Sequence, residues 1–427
     1  MEPITIFFLS FLILMVLRAP MYLCLLGSSL LYIHLTPELS MLTAMNKMMN
    51  APNSFTLLAV PFFILAGQVM NNGGVTDRIF GFAKKLIGHW RGGLAYVNVL
   101  SSLIFSGISG SALADVGGLG MIEIKAMRDE NYDDDLTLGV TGASSTVGPI
   151  IPPSIPFVIY GAMANVSIGA LFMGGVIPGI LIGIVLMVIA YIISCKRGYK
   201  AEAKKSLGEI FVAFKESLVA LVMPLIVLGG ILFGIFTTTE AGCIAVVYAL
   251  IAGAAMRELH LKDLFRIFLS AALTTASTMF VLASAQALGW ILARAQFPQM
   301  VVKALLGVSD NGTVIFLLIL LFLFVLGFFM DGTAAMIILI PVFLPVIAQY
   351  GWDPIQFADC IIMMLLVGAV TPPVGVLLFI CCGIAKISIA QAAKAVWPFV
   401  FGEIAVILLC VFIPQLITFL PDMIYGG

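Results

Sequence analysis

In a chain of 427 residues, a hydrophobic content of 62%, a charged content of 10% and a mean hydropathy of +1.16 exclude an ordinary soluble domain, which carries roughly 25% charged residues. A formal net charge of -1 offers no basic face to nucleic acid, and the seven cysteines, scattered without CxxC spacing, exclude a disulfide framework or a cysteine metal site. The composition predicts a polytopic membrane protein, because runs such as 168–193, 218–236 and 395–420 reach the roughly 20 apolar residues that cross a bilayer.

Met1-Glu2-Pro3 lacks the basic region and cleavage site of a signal peptide and reads as mature chain. Residues 4–34 are apolar but interrupted at Arg18-Ala19-Pro20, which makes either one kinked helix or two short arms. Residues 35–53 are a polar, Met-rich connection suited to an interfacial helix, and 55–69 cross. The next loop carries Arg78, Lys84, Lys85 and Arg91, which the excess of basic residues in inner loops assigns to the cytoplasm.

From 93 to 127 two apolar arms meet at Ser106-Gly107-Ile108-Ser109-Gly110-Ser111. Read as one crossing, this stretch would leave the loop from Lys125 to Asp135 outside; read as a re-entrant hairpin, it returns that loop to the cytoplasm. Later loops decide between the two. Residues 137–164 go out and 168–194 return, ending at Lys196, Arg197, Lys200, Lys204, Lys205 and Lys215, the most basic loop, which the hairpin reading leaves inside. Residues 218–236 then go out, 244–256 return to Arg257, Lys262 and Arg266, and 267–295 go out again.

The second half repeats the pattern. Residues 314–329 and 334–346 are arms around Met330-Asp331-Gly332-Thr333, a hairpin entering from outside, and 359–384 cross inward to Lys386 and Lys394. Only Arg18, Lys47, Arg294 and Lys303 then lie away from inner loops. Both 147–153 and 367–373 read Val-Gly, three residues, Pro-Pro, and paired prolines break a spanning helix. A shift of about 220 residues relates the two breaks and the two tips, so the fold class is an all-α membrane protein of inverted repeats, each with a re-entrant hairpin and a broken transmembrane helix.

Broken helices are tolerated in lipid where the freed backbone groups line a cavity. Hard cations take oxygen ligands. Ser106, Ser109 and Ser111, with Ser144, Ser145, Thr146 and the carbonyls near Val147 and Pro149, supply one set; Asp331 and Thr333, with carbonyls around Gly368, Val370 and Thr371, supply a second. Small residues alone would mean close helix packing, but their matched recurrence points to a site. Arg294, at the end of an apolar segment, either meets a carboxylate or snorkels to the outer interface. Asp115 is a tip-stabilising acceptor or part of the site, and Glu123 reads as interfacial. His34, His89 and His260 lie in or beside loops and form no relay. HExxH, GxSxG and P-loop motifs are absent, so the sequence excludes an intramembrane metalloprotease and an ATP-driven pump and is not read as an enzyme.

Phe-Ser-Gly-Ile-Ser-Gly-Ser-Ala-Leu-Ala-Asp, Pro-Ile-Ile-Pro-Pro-Ser-Ile-Pro, Phe-Met-Asp-Gly-Thr-Ala-Ala and Val-Thr-Pro-Pro-Val-Gly together resemble the large membrane subunit of tripartite ATP-independent periplasmic transporters, most closely the sialic acid type. The resemblance covers essentially the whole chain. It implies a sodium-driven importer of an organic acid in the bacterial inner membrane, moving by an elevator motion with two partners: a small four-helix membrane subunit and a periplasmic substrate-binding protein. It implies sodium at Ser106, Ser109, Ser145, Val147 and Pro149, and at Gly327, Asp331, Gly368, Val370 and Thr371. Substrate contacts fall to Arg294, Asp331, Ser111, Thr333 and Ser154. The implied division is 1–92 (scaffold and the start of the transport domain), 93–165 (transport), 166–266 (scaffold), 267–385 (transport) and 386–427 (a scaffold helix). The chain length suits a large subunit separate from its small partner. The alternative is a stand-alone sodium and divalent-anion symporter, whose Ser-Asn-Thr tips this sequence lacks; a passive pore is disfavoured by two closed hairpins.

Overall fold

A computed structural model describes residues 3–17, 19–50, 52–201 and 203–426, and they are helical almost throughout. Helices α1 (Pro3–Val16) and α2 (Met21–Leu35) are separate arms that fold back on each other, with the rings of Phe7 and Tyr32 meeting edge to face at 6.4 Å. Pro20 precedes α2, where its fixed φ starts a helix more readily than it continues one. Arg18 of that junction lies outside the described residues, as do Met1 and Glu2. Helix α3 (Met41–Asn50) follows, then a 3-10 turn leading into α4 (Ala59–Asn72), then α5 (Val75–Ile87).

The first hairpin comprises α6 (Gly93–Ser109), α7 (Ala112–Gly117) and α8 (Leu119–Asp129). Its returning arm is split, not continuous: it breaks at Gly118, against which the Asn71 side chain packs so closely that a Cβ there would displace it. Next come α9 (Asp134–Ser145), the first break, α10 (Ile155–Ala164), α11 (Ile168–Arg197), α12 (Leu207–Leu232), α13 (Thr238–Ala255) and α14 (Leu261–Arg294). Lys215 sits inside α12 and not in the basic loop, because a Ser206–Glu209 capping box starts that helix earlier than its apolar run suggests. Helix α15 (Phe297–Leu306), which the hydropathy pattern does not announce, precedes the second hairpin of α16 (Gly312–Gly327) and α17 (Gly332–Tyr350). Then follow α18 (Pro354–Val370), the second break, α19 (Val376–Ala385), α20 (Ile389–Phe412) and α21 (Gln415–Tyr425). The run 395–420 is therefore two helices; it is interrupted at Ile413-Pro414, where proline withholds a helix donor.

Among the described residues seven helices are long and apolar enough to cross a membrane. Helix α17 qualifies by length but is a hairpin arm: Tyr350 Oη donates to the Ser309 carbonyl at 3.3 Å and Trp352 stacks on Phe316, so the chain leaves where it entered. The first hairpin closes likewise, with Lys84 of α5 facing Glu130 beyond α8 at 3.7 Å. The two hairpins open on opposite ends of α11, which at 30 residues is about 45 Å long. Its terminal Arg197 pairs with Asp133 (2.8 Å) and Asp135 (2.6 Å) beside the first hairpin's base. Near its start, Gly174 abuts Asp359 and Ile355 of α18, beside the base of the second. The repeats are inverted.

Packing divides the helices into two groups. Helix α4 packs against α13 and α14, and α12 against α5 and α13. On the other side α9 packs along α6, α19 and α20, while α11 contacts α6, α18, α20 and α21. The groups meet where α5 touches α6 and α8, where α4 touches α6 and α10, where α12 touches α6 and where α14 touches α17.

Candidate functional site

Each hairpin tip is tied to the break of its own repeat by one backbone hydrogen bond. The Ile155 amide, second after Pro152-Pro153, donates to the Gly110 carbonyl at 3.4 Å; the Gly375 amide, second after Pro372-Pro373, donates to the Phe328 carbonyl at 3.2 Å. Both Pro-Pro bonds are cis. Glycine is required at the first tip, because Gly110 has φ +58° and a Cβ there would lie 2.4 Å from the Pro153 carbonyl oxygen. In the second repeat Gly327 and Gly368 lie backbone to backbone.

Tips and breaks leave half-helix ends in the interior, and α7, α10, α17 and α19 all start at one cavity of about 340 Å³. Ala112, Ile155, Gly332 and Val376, each the first residue of one of these helices, line it. Side chains cap three of the starts: Ser111 accepts from the Ala114 amide (3.4 Å), Ser154 from Phe157 (3.3 Å) and Asp331 from Ala334 (3.1 Å). Asp331 thus holds the second tip's helix while lining the cavity. The amide ends of helices carry partial positive charge, so this convergence suits an anion.

Helices α6, α9, α16 and α18 end at the same tips and breaks, presenting carbonyls. Ser106 Oγ donates to the Leu103 carbonyl (2.6 Å), Ser145 to Gly142 (2.7 Å) and Thr371 to Val367 (2.6 Å). With their protons committed, these hydroxyls keep lone pairs for a cation. Ser109 Oγ is buried with no hydrogen-bond partner among the described residues. The Val147 carbonyl already accepts from Ile150 and Ile151, that of Pro149 from Ser154 Oγ and that of Gly368 from Thr371. A carbonyl oxygen has two acceptor positions, so Pro149 and Gly368 each keep one for a cation, whereas both positions of Val147 are taken. Val370 is buried at the end of α18.

Of the expected site residues, Ser109, Ser111, Pro149, Asp331 and Thr333 line the cavity together. Arg294 does not: it is the exposed last residue of α14, about 24 Å along that helix from cavity-lining Thr278. Among the described residues no Lys or Arg lines the cavity. Residue-by-residue reading of the sequence missed Gln68, Thr274 and Thr278, which complete the lining from α4 and α14. The available signal was Ser270, Thr274 and Thr278 at four-residue spacing, which places all three on one face of α14.

Four further acids, Asp115, Glu123, Asp359 and Glu403, are buried among the described residues. Ser102 Oγ lies 3.1 Å from Asp115 Oδ1 and 3.2 Å from Ser144 Oγ, and Ser144 donates in turn to Asn98 Oδ1 (2.7 Å), so Asp115 acts as an acceptor beneath the first tip. Glu123 is fully buried and not interfacial, because α8 packs between α6 and α9; neither of its carboxyl oxygens has a partner among the described residues. Asp359 is buried in the same way. Glu403 of α20 accepts from Thr146 at the first break (2.6 Å).

The family model described as the DctM component of tripartite ATP-independent periplasmic transporters matches residues 8–416. The chain is 43% identical to the sialic acid TRAP transporter large permease protein SiaM of Vibrio cholerae, over 93% of each chain. It is 40% identical to the sialic acid TRAP transporter permease protein SiaT of Haemophilus influenzae, covering 97% of this chain and 68% of that one. Against the 2,3-diketo-L-gulonate TRAP transporter large permease protein YiaN of Escherichia coli the identity is 38%, over 87% of each. Among solved structures, the YdaH transporter of Alcanivorax borkumensis, described as having an unusual topology, shares the fold with a TM-score of 0.62 at 13% identity, over 90% of this chain and 88% of that one.

Proposed function

The chain belongs to the DctM component family of tripartite ATP-independent periplasmic transporters, and we propose that it is the permease of a sodium-coupled importer that receives sialic acid from a periplasmic binding protein. The observation that carries this reading is the cavity where four half-helix starts and both hairpin tips meet. Amide ends suit the carboxylate of the substrate, and hydroxyl and carbonyl oxygens at the neighbouring helix ends suit sodium. The substrate assignment rests on the two sialic acid relatives at 43% and 40% identity.

In this reading the bacterial inner membrane holds the chain, and a small four-helix subunit widens its scaffold. Sodium at the serine-rich tip with the first break, and at Asp331 with the second, offsets negative charge before the substrate carboxylate enters. The moving body is the group built on both hairpins and both broken helices. Helices α11 and α20 are assigned to it, in place of the scaffold role expected from sequence, because they pack along α9 and α18. Arg294, at the far end of α14, is assigned the first encounter with the arriving carboxylate.

Proteoliposomes containing this chain, its small subunit and the binding protein test the proposal. Uptake of sialic acid is expected to need both an inward sodium gradient and the binding protein. Gradient-independent uptake removes sodium coupling, and rapid uptake of free substrate without the binding protein restores the stand-alone symporter. Arg294→Glu is expected to slow uptake without reducing membrane insertion; a normal rate returns Arg294 to a snorkelling residue.

A further inference from the structure

We infer that Gln68, Thr274 and Thr278 form a wall that selects a hydroxylated tail on the substrate and sets which way round it lies, an inference that rests on the importer reading above. The polar lining of the cavity falls into two sets of different origin. Ser109, Ser111, Asp331 and Thr333 come from the hairpin tips, whereas Gln68, Thr274 and Thr278 come from α4 and α14, which pack on each other. The two sets differ in hydrogen-bonding character. At the tips, helix amides supply donors, and the Asp331 carboxylate among them is the one the proposed sodium offsets. On α14 both hydroxyl protons are committed to the helix itself: Thr274 Oγ1 donates to the Ser270 carbonyl at 3.0 Å and Thr278 Oγ1 to the Thr274 carbonyl at 3.0 Å. What these threonines present to the cavity is lone pairs. Lone pairs accept from alcohol O–H groups and repel a carboxylate.

A ligand with a carboxylate at one end and hydroxyls at the other is therefore held in one orientation, carboxylate toward the tips and hydroxyls toward α14. Thr274 and Thr278 stand one helical turn apart on the same face, with Cβ atoms roughly 5–6 Å from each other, so they meet two hydroxyl groups and not one. Gln68 brings both a donor and an acceptor to the same wall. Back-bonded threonines also occur as plain lipid-facing residues. What separates this pair from that role is its place in the lining of the cavity at which α7, α10, α17 and α19 start.

The test is equilibrium binding of radiolabelled N-acetylneuraminic acid, and of its analogue lacking the glycerol tail, to the two membrane subunits in nanodiscs at saturating sodium. The wild-type complex is compared with Thr274→Val/Thr278→Val, which keeps side-chain volume and removes only the hydroxyls. Loss of two hydrogen bonds predicts a fall of about tenfold to thirtyfold in affinity for the intact sugar acid, with the truncated analogue bound alike by both proteins. Sodium-induced thermal stabilisation, which reports the tips, is expected to be the same in both, and a loss of it would mean that the variant disturbs the fold, against a wall that acts only on the tail. Equal affinity of both proteins for the intact sugar acid overturns the inference, as does an equal loss for both ligands. If the wild-type complex binds neither ligand with sodium present, the importer reading itself falls and takes this inference with it.

Discussion

Gly327 and Gly368 press backbone against backbone: a Cβ on Gly368 would stand 2.8 Å from Gly327 Cα and 2.6 Å from the Phe324 carbonyl oxygen. Neither neighbour is a flexible side chain that could swing aside. Gly368→Ala is therefore expected to cost about 1–3 kcal/mol through overpacking. Because Gly368 lies in the second Val-Gly motif, sodium-dependent uptake should fall with it. Thermal unfolding of the purified protein and uptake measured side by side check this, and an alanine variant of wild-type stability would show that α16 and α18 separate readily.

Asp331 caps α17 and lines the cavity, and two substitutions separate these tasks. Asparagine caps as well as aspartate, so Asp331→Asn should keep wild-type stability while losing sodium-dependent uptake. Asp331→Ala should lose uptake and, in addition, about 1 kcal/mol of stability. Full uptake by the asparagine variant would reduce Asp331 to a cap.

Ser109 has a buried hydroxyl with no partner among the described residues. Removing it breaks no internal hydrogen bond and takes away a buried unpaired hydroxyl, so Ser109→Ala should not lower stability. As a lost cation ligand, it should raise the half-saturating sodium concentration about tenfold. An unchanged sodium dependence of uptake would take Ser109 out of the first site.

Thr146 supplies the hydrogen bond received by Glu403, whose other carboxyl oxygen has no partner among the described residues. Thr146→Val keeps the shape and strands the acid, which should cost about 1–3 kcal/mol. Glu403→Gln in the same background, by replacing the acid with a neutral side chain, is expected to recover part of that loss. Denaturation midpoints of the two variants check the order.

Sequence made the breaks and tips legible because proline and glycine act on the backbone where they stand. Pro152-Pro153, Pro372-Pro373 and Gly110 need no tertiary context to be read. Loop charge then oriented the first hairpin, in line with the Lys84–Glu130 pair in the structure. Glu123 was misread for the converse reason. Lys125 and Arg128 close by suggest an interface, but which face of α8 turns inward is settled by α6 and α9, and no local rule carries that information. The wall from α4 and α14 escaped for a related reason. A threonine becomes part of a cavity only when hairpins from distant parts of the chain arrive opposite it.

The bonds from Ile155 to Gly110 and from Gly375 to Phe328 have one more consequence. Each fastens the end of a hairpin to the helix beside it, so a tip cannot lift like a flap without also breaking its hold on the interrupted helix. Movement of either tip on its own therefore costs at least that hydrogen bond, whereas tip and interrupted helix moving together keep it.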